Sequence, residues 1–232
     1  MAIALLAAPG LDVNAADAAG WTALMHAAAA GGHTETLTAL LAAPGLNLNA
    51  VNGQGHTVLM QAVALGHTET VTALLAAPGL DVNAIDSRGW TALIMTAHGG
   101  RTETVTALLA APGIDVNAAN DDNLTALMLA VYKCHTETVT ALLAALGLDV
   151  NAAGGHGVTV LMLAAAGGHT ETITALLAAP GLDVNAVNRR GDTALMLAAS
   201  GGHTKTFTAL LAAPGVKLNV AATDGTTSLA LA

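Results

Sequence analysis

Aromatic residues and cysteine are scarce in this sequence of 232 residues. Aromatic side chains make up 2% of the chain, and Cys134 is its one cysteine. A single thiol excludes an internal disulfide and suits a reducing compartment, so we expect an intracellular, cytoplasmic protein. The apolar residues at the start of the chain are not preceded by a basic segment, which argues against a secretory signal peptide.

Charge of positive sign is also scarce. Residues 1–87 contain no lysine or arginine, and the formal net charge of the whole chain is −9. Phosphate binding requires clustered cations, so this composition argues against a nucleic-acid partner. A neutral or basic protein surface is the partner that we expect instead. No apolar run reaches the roughly 18 to 20 residues that a membrane span requires, which argues against a membrane partner.

One segment recurs along the sequence at a nearly constant spacing. A threonine opens each tetrad of the type Thr-Ala-Leu-Met, and its spacing is 35 residues once and 34 residues five times. A repeat of this length is one supersecondary unit that buries its apolar face only by stacking on its neighbours, which predicts a solenoid. The tetrad threonines are Thr22, Thr57, Thr91, Thr125, Thr159, Thr193 and Thr227.

Each repeat predicts two short helices and a turn, as the fifth repeat illustrates. Thr159 is a suitable N-cap for a first helix that ends at Gly167-Gly168. A second helix is predicted over 173–179, ended by Pro180-Gly181. Its buried stripe is expected to comprise Ile173, Leu176 and Leu177. The turn that follows holds glycine two positions before the next tetrad threonine, or asparagine at Asn123, because these residues tolerate a positive φ.

This pattern resembles the ankyrin repeat. The resemblance rests on the G-x-T-x-L start, the A-A-x-x-G-H junction at 164–169, the Leu176-Leu177 pair and the closing D-V-N-A at 183–186, and it recurs along the whole chain. It implies an all-α solenoid of helix-turn-helix repeats with protruding β-turn fingers. We expect a single solenoid over 1–232: a half-repeat at 1–16, six full repeats over 17–221 and a partial repeat at 222–232.

The sequence departs from the ankyrin pattern in its tetrad. The histidine of the usual T-P-L-H is replaced by methionine or isoleucine, so we expect the threonine–histidine bonding of typical repeats to be missing. The loop after the second helix also carries one extra residue. The resemblance further implies that a repeated loop asparagine bonds the turn backbone and is a candidate for hydroxylation. These asparagines are Asn83, Asn117, Asn151 and Asn185.

The nine histidines raise the question of a metal site. Five of them share one equivalent position with Arg101, and these are His33, His67, His135, His169 and His203. Stacked helices lie about 8–10 Å apart, whereas the ligands of one zinc ion lie about 2 Å from it. We therefore predict neither a metal nor another cofactor, and expect these histidines to bond backbone groups between the two helices. No phosphate loop, nucleophile elbow or metal motif occurs, so we predict no catalytic residue and no enzyme activity.

Differences among the repeats indicate where a partner binds. The turns and the ends of the first helices vary, and they hold three of the four aromatic residues. Aromatic residues and arginine contribute disproportionately to interfaces. The resemblance to the ankyrin repeat implies that these positions line the concave face that binds partner proteins. The predicted partner-binding residues are Trp21, His56, Arg88, Trp90, His98, Asp121, Asp122, Leu124, Tyr132, Lys133, His156, Arg189, Arg190 and Asp192.

Several interpretations of function stay open at this point. The leading one is a non-catalytic scaffold for protein–protein interaction. The alternative is a structural array that stacks weakly end to end, because half-repeats at 3–16 and 223–232 would leave complementary apolar faces around Leu5 and Leu229. An excerpt from a longer array would place the same faces against covalent neighbours. Remoter alternatives are drift on an unused surface, an ordered-surface binder suggested by the threonines of the second helices, and a designed scaffold.

Overall fold

The computed structural model describes residues 11–31 and 34–231, which form pairs of helices joined by turns, without a sheet in that part of the chain. The first helices of the pairs are α1 (Ala23–Ala29), α3 (Val58–Leu65), α5 (Ala92–His98), α7 (Ala126–Tyr132), α9 (Val160–Ala166), α11 (Ala194–Ser200) and α13 (Ser228–Leu231). The second helices are α2 (Thr34–Leu41), α4 (Thr68–Leu75), α6 (Thr102–Leu109), α8 (Thr136–Leu143), α10 (Thr170–Leu177) and α12 (Thr204–Leu211). The predicted all-α repeat fold is confirmed.

The first helices begin at the tetrad threonines, as predicted. The threonine hydroxyl accepts the backbone N–H three residues later at 3.2 to 3.4 Å in all six repeats from Thr22 to Thr193. In two repeats the methionine at the usual histidine position also contributes. Met60 Sδ accepts the N–H of Thr57 at 3.5 Å, and Met196 Sδ does the same for Thr193. Sulfur is a weak acceptor, so these bonds only partly replace the missing histidine.

The second helices differ from the prediction in their limits and in their buried stripe. Helix α10 begins at Thr170 and ends at Leu177, well before Pro180-Gly181. Ile173 and Leu176 are fully buried, but Leu177 is only half-buried. The apolar stripe is therefore narrower than expected, and the buried face of the helix also includes the polar Thr172.

The helices pack in two layers within each of two compact units, Met1–Ala118 and Ala119–Ala232. In the first unit, α1, α3 and α5 stack in chain order, and α2, α4 and α6 form the second layer. In the second unit, α7, α9, α11 and α13 stack in the same way, opposite α8, α10 and α12. The apolar core of each unit lies between its layers. The organisation of residues 1–232 as one solenoid stays a prediction.

Asparagine side chains join consecutive loops. Asn83 Nδ2 donates to Gly113 O at 2.7 Å, and Asn83 Oδ1 accepts the N–H of Asp115 at 2.8 Å. The same two bonds are made by Asn14, Asn49, Asn151 and Asn185. The asparagines therefore bond the loop of the following repeat, which couples neighbouring repeats.

The equivalent histidines also join repeats, which corrects the expectation that they bond within one helix pair. His67 Nε2 lies 3.3 Å from Ala29 O, and His203 Nε2 lies 2.9 Å from Ala166 O. Arg101 donates to two such carbonyls, at 2.6 and 2.8 Å. These oxygens belong to the last turn of the first helix in the preceding repeat. Carbonyls in the last turn of a helix lack partners within that helix.

Several predicted features lie outside the described residues. Leu5 and His33 are among them, and nothing is described of the side chain of Leu229. End-to-end stacking through Leu5 and Leu229 therefore stays a prediction. Within the described ranges, no helix has both the length and the apolar character required to cross a membrane.

Candidate protein-binding surface

The predicted fingers are β-turns held by an Asx side chain. In the third repeat, Asp86 Oδ1 accepts the backbone N–H of Arg88 at 2.8 Å and of Trp90 at 2.9 Å. Asp17, Asn52, Asn120 and Asn188 make the same pair of bonds in their own turns. Asn123 has φ +58°, which confirms its predicted left-handed position. The fingers are numbered one to six by their first residues, Asp17, Asn52, Asp86, Asn120, Gly154 and Asn188.

The fifth finger is built differently. Gly154 has no side chain that could accept hydrogen bonds, and the turn becomes a 3-10 turn at Gly155–Gly157. His156, a predicted contact residue, has φ +60° there and is exposed. In each unit, the fingers and the C-terminal ends of the first helices together make up what we call the finger surface of that unit.

The first finger places an aromatic ring beside a histidine and a carboxylate. The rings of Trp21 and His26 are 5.2 Å apart between centroids, and His26 Nε2 lies 2.9 Å from Asp17 Oδ2. The backbone N–H of Trp21, and then the hydrogen bond from His26, hold the pKa of the Asp17 carboxyl below its usual range. Trp21 is half-buried by these contacts. His26 occupies a variable first-helix position, at which the sequence favours a contact residue over a metal ligand, whereas Asp17 was not among the predicted binding residues.

The second and third fingers share a buried carboxylate. The side chain of Asp86 is 1% exposed, and its Oδ2 lies 3.5 Å from His56 Nε2. The other ring nitrogen of His56 lies 3.1 Å from Nε2 of the buried Gln61. Asp86 therefore positions a predicted contact residue of the neighbouring repeat. This role was missed because it depends on a contact across 30 residues of sequence, and Asp17 shows that an acid at this position occurs elsewhere in the chain as well.

Three predicted residues of the third repeat come together around Trp90. The guanidinium of Arg88 lies 5.4 Å from the centroid of the Trp90 ring and 3.8 Å from Asp86 Oδ2. His98 packs edge-on against Trp90 with centroids 5.3 Å apart. A cation over an aromatic face is an attractive contact, so the three side chains stiffen one another.

The second unit carries the remaining predicted residues. Tyr132 is 65% exposed at the end of α7, with Lys133 Nζ 5.5 Å from its ring centroid. Leu124 is half-buried. Asp192 is also half-buried and accepts a hydrogen bond from Asn188 Nδ2 at 3.1 Å, so part of its carboxylate is already occupied. The predicted residues of this unit that are exposed at finger tips are Asp121, Asp122, His156, Arg189 and Arg190.

The fold and the repeated contacts match a known family of repeats. The family model for ankyrin repeats, which describes three copies, matches residues 1–86, 78–154 and 151–222. The chain belongs to the ankyrin repeat family. Ankyrin repeats generally mediate protein–protein interaction, and proteins of this family are typically non-catalytic scaffolds. The resemblance inferred from the sequence is thus confirmed.

Solved structures agree with this assignment. The ankyrin repeat domain of Bcl-3, a unique member of the IkappaB protein family, aligns with a TM-score of 0.84 and 29% identity, covering 92% of this chain and 94% of that chain. The ankyrin repeat protein EF0377 aligns with a TM-score of 0.71 and 23% identity, covering 80% of this chain and 91% of that chain, and this likeness concerns the fold alone. No curated protein matches the chain.

Proposed function

We propose that this ankyrin repeat protein is a non-catalytic scaffold that binds a partner protein through its finger surface. The observation that carries the proposal is the arrangement around Trp90. Arg88 and His98 hold this ring in place at the finger surface while leaving it partly accessible. Rigid aromatic residues beside arginine are typical of the few positions that dominate binding energy. Tyr132 and Lys133 supply a second aromatic and cationic pair, and it is strongly exposed.

The net charge of the chain indicates which class of partner to expect. A net charge of −9 with seven basic residues favours a neutral or basic protein over nucleic acid. We propose a cytoplasmic location, because the exposed and unbridged Cys134 suits a reducing compartment.

The test is to capture the partner with the immobilised chain and then to measure its affinity for variants by calorimetry. Trp90→Ala and Tyr132→Ala should each weaken binding by roughly 2 kcal/mol, about 30-fold, because each removes an aromatic contact from the finger surface. Leu146→Ala is the matched control, since this side chain is 97% exposed but belongs to a loop after α8. That control should bind like the unaltered chain.

Folding of each variant is checked by circular dichroism and thermal unfolding. If Trp90→Ala and Tyr132→Ala fold normally and retain full affinity, the finger surface is not the binding surface. A loss of affinity in Leu146→Ala equal to that in Tyr132→Ala would contradict the proposal in a different way, because it would place the contact on the loops.

A further inference from the structure

Three fingers of the second unit form a row with opposite charges at its ends. The tip of finger four holds Asp121 and Asp122, and the tip of finger six holds Arg189 and Arg190. All four side chains are exposed. Finger five lies between them and carries no formal charge with its histidine neutral, since its tip is Gly155–Gly157. The row is therefore acidic at one end, neutral in the middle and basic at the other end.

Direct contacts keep the three fingers in order. A β-carbon built on Gly154 would lie 3.2 Å from Asn123 O, so fingers four and five touch. The N–H of Arg189 donates to His156 O at 2.9 Å, which joins fingers five and six. Each step spans 34 residues, and α7, α9 and α11 stack in sequence. Fingers four and six therefore lie on opposite sides of finger five at matching intervals.

The two charged ends do not neutralise each other within one molecule. Stacked helices are about 8–10 Å apart, so two steps separate the acidic and basic tips by roughly 16–20 Å. An ion pair between side chains requires that nitrogen and oxygen lie within about 4 Å, so the two tips cannot pair within one molecule at any ionic strength. Both ends are thus available to charges supplied by another molecule.

We propose that this part of the finger surface binds a second copy of the same chain, related by a two-fold axis through finger five. The inference rests on the proposed function, because it takes the finger surface as the binding surface. The axis sets finger four of each copy against finger six of the other, so that the contact between an acidic tip and a basic tip forms twice. Such a contact is isologous, and it stops at the dimer.

The ends of the first helices fit the same axis. Tyr132 is 65% exposed at the end of α7. The equivalent positions are Ala166 at the end of α9 and Ser200 at the end of α11. The axis brings Tyr132 opposite the small Ser200 of the second copy, and Ala166 opposite itself. A large side chain therefore meets a small one, instead of meeting its own equivalent.

The contacts within the chain make this association weak and sensitive to salt. Arg190 Nε lies 3.7 Å from Asp192 Oδ2, but the Arg190 side chain is 84% exposed and is easily drawn to another carboxylate. Arg190 also contributes, as the smallest of several causes, to the lowered pKa of Asp224. These two acids reduce the positive potential of finger six, so the dimer needs low ionic strength to be observed.

Two charge-reversal variants test the proposal. Asp121→Arg/Asp122→Arg makes both ends of the row basic, and Arg189→Asp/Arg190→Asp makes both ends acidic. The backbone bonds that shape these fingers do not involve the substituted side chains. Each variant and an equimolar mixture of the two are measured by sedimentation velocity at low and at high salt, with circular dichroism to confirm folding.

The unaltered chain should dimerise at low salt and dissociate at high salt. Each variant alone should dimerise at least tenfold more weakly, because two-fold symmetry then opposes like charges. The mixture should form a heterodimer, and a variant carrying all four substitutions should dimerise again. The proposal is overturned if the unaltered chain is a monomer at low salt, if either variant dimerises as strongly as the unaltered chain, or if the mixture remains monomeric.

This outcome is separable from the outcome for the proposed function. If the unaltered chain is monomeric, but partner affinity falls in Trp90→Ala and Tyr132→Ala, the proposed scaffold function is supported and the dimer is not. If the two charge-reversal variants form a heterodimer, but partner affinity is unchanged in both alanine variants, the dimer is supported and the proposed scaffold function is not. End-to-end stacking is recognised by growth beyond the dimer and by sensitivity to Leu5→Lys or Leu229→Lys, which leave the row of charges unaltered.

Discussion

At the scale of single residues, Cys134 occupies a position that elsewhere belongs to glycine. Its φ is +60°, and the equivalent Gly168 and Gly202 have φ values of +68° and +67°. A β-carbon on Gly168 would lie 2.5 Å from His203 Nδ1, so glycine leaves room for the histidine of the next repeat. Cys134 carries such a β-carbon, and the corresponding His169 has a buried Nδ1 without a hydrogen-bond partner. By analogy with Gly168, we expect the β-carbon of Cys134 to crowd His169 and to strain the junction between the fourth and fifth repeats.

Cys134→Gly should therefore stabilise the protein, by about 1 kcal/mol, because glycine adopts the left-handed conformation without steric cost. Urea unfolding measures the change in the free energy of unfolding. Cys134→Ser is the matched control, since it removes the thiol but keeps the β-carbon. Equal stability of the two variants would mean that the β-carbon is not the source of strain.

Asp17 offers a second prediction at this scale. Its carboxyl pKa should lie below the ordinary 3.8, chiefly because it accepts the N–H of Trp21 and secondly because of His26. His26→Ala should raise this pKa only partly, since the backbone bond persists. A carbon-detected NMR titration of the carboxyl group measures both values.

The direction of the pH effect on stability follows from the same shift. Since the folded state has the lower pKa, the stabilising contribution of Asp17 is complete above the unfolded-state pKa and is lost as pH falls through the folded-state value. An Asp17 pKa at or above 3.8 in the unaltered chain would contradict this account.

At the scale of elements, the loops contribute to stability through asparagine side chains that reach the next repeat. Asn185 Nδ2 donates to Gly215 O at 2.9 Å, and its Oδ1 accepts the N–H of Lys217 at 2.7 Å. The exposed threonines of the second helices act differently. Thr174 Oγ1 donates to Thr170 O within its own helix and, among the described residues, makes no bond to the next repeat.

Asn185→Ala should lower the free energy of unfolding by about 1 to 2 kcal/mol, because it breaks two bonds between repeats. Thr174→Ala should change it by less than about 0.5 kcal/mol, because the hydroxyl is exposed and bonds only its own helix. Chemical unfolding of the two variants under identical conditions gives the comparison. The loops make no such contribution if the two variants prove equally stable.

At the scale of the whole molecule, each unit is held by layers in which every helix contacts its neighbours in the stack. Nearest-neighbour packing of this kind predicts that damage stays local. Leu176 of α10 is fully buried between the layers, whereas the adjacent Leu177 is only half-buried. The two leucines therefore provide a matched pair of substitutions within one helix.

Leu176→Ala should cost about 3 kcal/mol and Leu177→Ala clearly less, because only the first leaves a cavity. Hydrogen exchange should quicken most in α10 and in its stacked neighbours α8 and α12. An equal cost for both leucines, or exchange that quickens evenly along the chain, would show that the packing is not local.

The repeat period, the helix pairs and the left-handed turn positions were predictable from the sequence, because they depend on local preferences. A threonine caps a helix, and glycine or Asn123 adopts a positive φ, whatever the neighbouring repeat contains. The ankyrin family followed from the same local pattern. Variation among repeats also indicated the finger surface, although the role of its residues in binding stays a proposal.

Only the tertiary structure decided which groups meet across repeats. Asp86 reaches His56, His67 reaches Ala29, and Cys134 lies in a glycine position near His169. These pairs are separated by 30 or more residues, or depend on the space that a neighbouring repeat leaves. Their geometry is set by how one repeat stacks on the next, and no local preference of either sequence segment contains that information.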